Sequence, residues 1–316
     1  MNGNRFKLAV VFFLATLALG GDSRGAQQST EGDASRFSIS SDLVLVNATV
    51  LDMRGRPVNS LTRENFHIFE NQTEKKIEYF SEEETPVSMI VVADTSGSMA
   101  GKLPGCVEAI ARLFDGATPG DEFALITLGS QAVLAREWTR NDANLRDVLA
   151  NTRAHGSTAL LDALHMAALY SRTAANARRL VFIVSDSGEN HSRFRERDVR
   201  RLLEETELEM YAVDIRGPDR ALEPEVLEGP GLLDRLCEEA AGRYIAIDRM
   251  SELPKAVERI SREIRSQYML GYRPAAIGQA GRFHKVEVRV HPPSGMHRLS
   301  VRWRRGWREP AEGKVD

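Results

Sequence analysis

Residues 89–93 (MIVVA) form an unbroken apolar run, the pattern of a central parallel strand buried on both faces. Apolar stretches at 123–128, 180–184, 210–215 and 244–247 predict further strands, with a short edge strand at 132–134. Between them, apolar positions recur at helical spacing over 103–114, 144–150, 158–171, 199–205, 232–241 and 253–264. Such alternation implies an α/β fold: an open, mostly parallel, doubly wound Rossmann-like sheet with right-handed crossovers.

The flanks follow a period of two. Val44, Val46, Ala48 and Val50 alternate with other residues, and 52–57 (DMRGRP) carries turn chemistry. Residues 61–66 suggest one short turn. Phe66, Ile68 and Phe69, then Ile77, Tyr79 and Phe80, mark two more strands. Towards the other end, 268–272 precedes a proline, and Val286, Val288 and Val290 alternate with charged residues, as do Leu299, Val301 and Trp303. Each flank holds too few strands for a stable sheet alone. The expectation is therefore one small β domain built from 37–85 plus 268–308, with the α/β domain, 86–267, inserted between them.

The first twenty residues predict something other than fold. Arg5 and Lys7 precede an apolar run over 8–19 and then Gly20-Gly21, which reads as a secretory signal peptide spanning 1–20. The run is short for a membrane span. No membrane span is expected after cleavage, and an uncleaved N-terminal anchor is the alternative. The chain is thus expected to be exported, to the periplasm or the extracellular space. Residues 21–36 hold almost no large apolar side chain and read as a disordered leader, and 309–316 as a frayed tail.

Composition narrows the function. Charged residues make up 28% and hydrophobic ones 42% of 316 residues, a globular balance. Lys and Arg total 42 against 45 Asp and Glu, so the basic excess typical of nucleic-acid binding is missing and no nucleic-acid partner is expected. Two cysteines exclude a disulfide-rich scaffold and a four-cysteine zinc site. Cys106 and Cys237 fall on separate predicted helices and read as buried free thiols, with a disulfide as the alternative. Arg298, Arg302, Arg304, Arg305 and Arg308 read as the solvated face of a strand, the alternative being an anionic partner.

The stretch Asp94-Thr95-Ser96-Gly97-Ser98 follows the central strand and precedes a helix. In open α/β sheets ligands bind at such carboxyl ends of strands. One carboxylate and two hydroxyls at a spacing of two make an all-oxygen donor set. Such a set selects Mg²⁺, Ca²⁺ or Mn²⁺ over zinc or copper. Asp94-x-Ser96-x-Ser98 resembles the metal-ion-dependent adhesion site (MIDAS) of the von Willebrand factor type A (VWA) family, with a likeness covering roughly 86–267. Gly156-Ser157-Thr158 matches that family's Gly-x-Thr loop, and Asp186 its aspartate after the fourth main strand. The resemblance therefore implies a metal site of Asp94, Ser96, Ser98, Thr158 and Asp186. It also implies a divalent cation, Mg²⁺ first and Mn²⁺ or Ca²⁺ as alternatives, and a partner protein presenting Asp or Glu to the metal. The chain departs from the family's Ser-Asp-Gly pattern by the extra Ser187, which changes the turn after Asp186. Glu189 is a further acidic candidate there.

The flanks, from Val44 through Asn71 and from Tyr268 through Val288, are similar to exported bacterial "VWFA-related" proteins. A non-enzymatic, metal-dependent protein-binding module is the leading expectation. A structural envelope protein with an unused metal site is the alternative. A metal-dependent phosphohydrolase of the haloacid-dehalogenase type is disfavoured, because Ser96 stands where its second acid belongs. The helix over 253–264 is expected to be a fixed connector to the terminal β segment, the alternative being that it couples the metal loop to the β domain.

Overall fold

The computed structural model describes residues 43–82, 85–186, 188–189, 191–216, 224–275, 281–296 and 298–309. The stretches expected to be a signal peptide (1–20) and a disordered leader (21–36), Ser187 and the residues beyond Glu309 lie outside the described residues. The described residues belong to one compact unit spanning 40–316.

The centre is a six-stranded sheet formed by β5 (Val87–Asp94), β6 (Glu122–Leu128), β7 (Ala132–Thr139), β8 (Arg178–Ser185), β9 (Glu209–Ile215) and β10 (Arg243–Ile247). Its order is β10-β9-β8-β5-β6-β7, and only β7 runs antiparallel to its neighbour. Every residue of β5 is buried, which is why its sequence shows no alternation. Its odd and even positions feed two different cores. Met89, Val91 and Ala93 pack with α1 (Leu103–Asp115), α2 (Asp142–Asn151) and α6 (Leu253–Arg265). Ile90 and Val92 pack with α3 (Leu160–Tyr170), α4 (Glu196–Thr206) and α5 (Pro224–Glu239). Cys106 and Cys237 are buried free thiols in these separate cores, on opposite faces of the sheet.

Both flanks contribute strands to the same two four-stranded sheets. The first holds β1 (Val44–Leu51), β4 (Ile77–Ser81), β11 (Tyr268–Tyr272) and β13 (Ser300–Trp303), in the order β13-β1-β11-β4. The second holds β2 (Phe66–Glu70), β3 (Thr73–Lys75), β12 (Phe283–Val290) and β14 (Gly306–Arg308), in the order β14-β12-β2-β3. All pairings are antiparallel. One apolar core lies between them, formed by Val46, Ala48, Val50, Leu270 and Tyr272 from one sheet and Phe66, Ile68, Val286, Val288 and Trp307 from the other. Burial alternates along β2 and through most of β12, while the second half of β1 is buried at every position. Strands β3 and β14 were not expected, because three residues are too few for a periodic signal.

Two further expectations are corrected. Glu309 is buried rather than frayed, its carboxylate 2.6 Å from His284 Nε2. Four of the five C-terminal arginines are engaged by carboxylates, while Arg298 is exposed. Arg302 pairs with Glu263 at 3.0 Å, Arg304 with Glu207 at 2.6 Å and Arg308 with Glu204 at 2.9 Å, and Arg305 pairs with Glu238. Strand periodicity alone does not reveal that helices bring carboxylates to that face.

These contacts sit at the amino end of the parallel strands. There Arg178, at the start of β8, pairs with Glu209, at the start of β9, at 3.1 Å and donates to the Ile264 carbonyl at 2.6 Å. Asn47 of β1 and Gln267 donate to the same Glu209 carboxylate. The carboxyl end of the sheet lies opposite this seam.

Candidate metal centre

Asp94 is the last residue of β5 and Ser185 the last of β8, and these two strands are neighbours. The chain leaves β5 for β6 on one side and returns later to β8 on the other, so a topological switch point lies between them. Three segments meet at it. The loop after β5 tightens into a 3-10 turn over Gly97–Met99. The loop before α3 carries Gly156 and Thr158. The loop after β8 carries Asp186 and Gly188.

The first two loops are tied by backbone bonds. Gly97 N–H donates to the Gly156 carbonyl at 2.9 Å, and His155 N–H to the Thr95 carbonyl at 2.7 Å. Gly156 has φ of 79°, a conformation that favours glycine. Asp94 Oδ1 accepts from Ser96 N–H at 2.8 Å, an Asx-type turn that curls the loop back. Its other oxygen accepts from the Ser185 hydroxyl at 2.5 Å. Ser96 and Ser98 place their hydroxyl oxygens 3.1 Å apart. The spacing of two therefore does bring both hydroxyls to one point.

All five expected residues gather at this edge. Asp94, Ser96, Thr158 and Asp186 are buried and Ser98 is exposed, so the centre opens to solvent on the Ser98 side. A Cβ added to Gly188 would sit 3.1 Å from Thr158 Oγ1, a tight contact that places Gly188 directly beside that hydroxyl. Gly188, two positions after Asp186, thus lies beside the centre. Burial pushes the Asp94 carboxyl above the usual carboxylate range, and the nearby Asp186 charge adds to it, against the Ser185 and Ser96 hydrogen bonds. Two carboxylates and three hydroxyls with no histidine or cysteine suit a hard divalent cation.

Glu189 is engaged elsewhere. Its carboxylate accepts from Leu161 N–H at 2.9 Å, Ser192 N–H at 3.0 Å and the Ser192 hydroxyl at 2.7 Å. It thereby satisfies a free donor in the first turn of α3. Cys106 lies on α1 behind the centre, and burial, with the fields of Asp94 and Asp186, pushes its thiol up to about 12. It is no nucleophile at neutral pH.

Sequence reasoning missed Lys102. Its Nζ lies 2.7 Å from Asp186 Oδ2, with the carboxylate buried and the lysine side chain 24% exposed. The available signal was a cation immediately before α1, where the helix dipole disfavours positive charge.

The central, mostly parallel sheet, helices on both faces and oxygen-rich loops at its switch point define an open, doubly wound α/β domain. Residues 89–189 match the von Willebrand factor type A domain. Among curated proteins none matches the chain. The chain is similar to an aerotolerance-related membrane protein from Bacteroides fragilis, with 18% identity over 56% of this chain and 98% of that one, and a TM-score of 0.47. It is similar to a von Willebrand factor type A protein from Catenulispora acidiphila, with 13% identity over 85% and 72% of the two chains and a TM-score of 0.49. It is similar also to proximal thread matrix protein 1 from the mussel byssus, a structure with a zinc-occupied MIDAS motif. That likeness covers 62% and 49% of the two chains at 16% identity, with a TM-score of 0.49. Among the described residues no helix is long and apolar enough to cross a membrane.

Proposed function

We propose that the chain is an exported, non-enzymatic protein-binding module of adhesion or scaffold type. Asp94, Ser96, Ser98, Thr158 and Asp186 would hold a divalent cation, Mg²⁺ first, and the partner would present an Asp or Glu carboxylate to it. One observation carries the reading. Three loops, tied backbone to backbone, converge an all-oxygen donor set on the switch point and leave its Ser98 side open.

The ion would supply a positive centre for an incoming anion. Neutral hydroxyl donors compensate its charge less than a cage of carboxylates would. The protein's part is to fix the hydroxyls and exclude water around them. Ser96 N–H and the Ser185 hydroxyl hold the two Asp94 oxygens, and Gly188 lies directly beside the Thr158 hydroxyl. The donor set offers little to catalysis. Buried Ser96 occupies the position of a second acid, and the Cys106 thiol is inert.

A structural envelope protein with an unused site is the second reading, favoured by the ion pair between Lys102 and Asp186. Thermal melts of the full chain in chelator, MgCl₂, MnCl₂ and CaCl₂, beside Asp94→Ala, separate the two. A ligand at one hundred times its Kd adds about 2.7 kcal/mol to stability, on the order of 5 °C for a chain this size. That rise is expected in the natural chain and not in the variant. No rise with any ion would sink the metal reading. Capture of a carboxylate-bearing partner that persists in chelator would sink the partner mode.

A further inference from the structure

Lys102 is placed against its local backbone. It directly precedes α1, where the aligned peptide dipoles repel a cation. Its ammonium is nevertheless drawn in from water to within 2.7 Å of a carboxylate that is almost fully buried. The attraction comes from the donor set itself. Asp94 and Asp186 are both buried, and the charge of Asp186 reaches Asp94. An ammonium on Asp186 supplies the charge that two neighbouring buried carboxylates need. The way out is open. Ala100 and Gly101 are exposed, and a Cβ added to Gly101 would meet no atom within 4 Å. The lysine stem is long and flexible enough to carry its charge back to solvent.

We infer that Lys102 is a built-in competitor for the divalent cation: its ammonium neutralises Asp186 when the centre is empty, and it leaves when an ion enters. This rests on the metal reading above and adds what sets the affinity. Entry of the ion must displace a charge already in place, so the natural chain binds more weakly than its donor set allows. Displacement also delivers a free ammonium to the rim of the centre, beside the path of an incoming carboxylate.

The test uses the full chain and Lys102→Met, which keeps most of the stem and removes the charge. Each is titrated calorimetrically with MgCl₂ and with MnCl₂, and melted in chelator and in metal. In parallel, the natural chain is acetylated with acetic anhydride in chelator and in MnCl₂, and each lysine is read by peptide mass mapping with Lys255 and Lys285 as internal references. The variant is expected to melt lower in chelator, to bind at least tenfold more tightly and to recover its lost stability when metal is added. Lys102 in the natural chain is expected to acetylate several-fold faster with metal. Equal affinity of the two proteins, or a melting deficit that metal does not repair, would mark the pair as merely structural and overturn the inference while leaving the metal reading intact. Labelling of Lys102 that is unchanged or slower with metal would overturn it too, and this arm decides even if the variant fails to fold. Absence of ion binding in both proteins would overturn the metal reading and the inference together.

Discussion

At the residue scale, buried carboxylates with different partners do different things. Asp121 accepts from Val87 N–H, Thr118 N–H and Arg265, the last at 2.6 Å. Burial works to raise its pKa, but Arg265 and the two backbone donors outweigh it and hold the carboxyl below its ordinary value. A depressed folded pKa gives stability that is complete above the unfolded value, about 3.9, and is lost as pH falls through the folded one. Asp121→Asn strands Arg265 and is expected to cost about 3–5 kcal/mol at neutral pH, read from urea midpoints. Its midpoint should also depend less on pH below about 4 than that of the natural chain. An unchanged acid slope would show that other carboxylates set it. The thiols offer a second check. A thiol-reactive disulfide reagent at neutral pH should find neither cysteine in the folded chain and both in denaturant, because each is buried in its own core. A thiol reacting quickly in the folded chain would contradict the burial of one of the two cysteines.

At the scale of elements, α6 explains how the terminal strands are held. Its last turn is fixed by four contacts. Glu263 pairs with Arg243 of β10 and with Arg302 of β13, Arg265 pairs with Asp121, and Arg178 donates to the Ile264 carbonyl. Ion pairs at this seam differ in worth. Arg178 and Glu209 are both nearly buried, so Arg178→Met leaves a carboxylate uncompensated and is expected to cost about 3–5 kcal/mol. Arg308 and Glu204 are each more than a third exposed, so Arg308→Ala should cost under about 1 kcal/mol. Chemical denaturation of the two variants side by side checks the ranking. Equal losses would mean that the seam is not buried in solution. The sequence displays these arginines and carboxylates, but their partners lie 20 to 144 positions away. Only a formed sheet brings them together, so a charged stripe read as solvated becomes a docking face.

At the scale of the whole molecule, the strands from both chain ends close over the amino end of the central sheet and leave its carboxyl end to the oxygen-rich loops. Asn47, Gln267 and Arg302 satisfy Glu209 and Glu263 across the seam. A fragment of residues 86–267 keeps Gln267 but loses Asn47 and Arg302. It is therefore expected to melt below residues 40–316, with any ion-induced rise preserved because the donor residues all lie inside it. A fragment as stable as the longer chain would show the seam to be energetically idle.

The sequence by itself determined whatever is written in short-range periodicity and local spacing. The apolar run of β5 specified a strand buried on both faces, alternation specified β1, β2 and β12, and the Asp94-x-Ser96-x-Ser98 spacing specified the curl that brings two hydroxyls together. Residues that interact within one turn or one strand carry their pairing in their own order. The tertiary structure alone decided that the flanks form two sheets, that Glu309 is buried, that four of the five C-terminal arginines pair with glutamates and that Glu189 caps α3. It alone set Lys102 on Asp186, 84 positions away. Such pairings depend on which surfaces the crossovers bring into contact, and burial then changes what a charge must do, neither of which is encoded in the distance between residues along the chain.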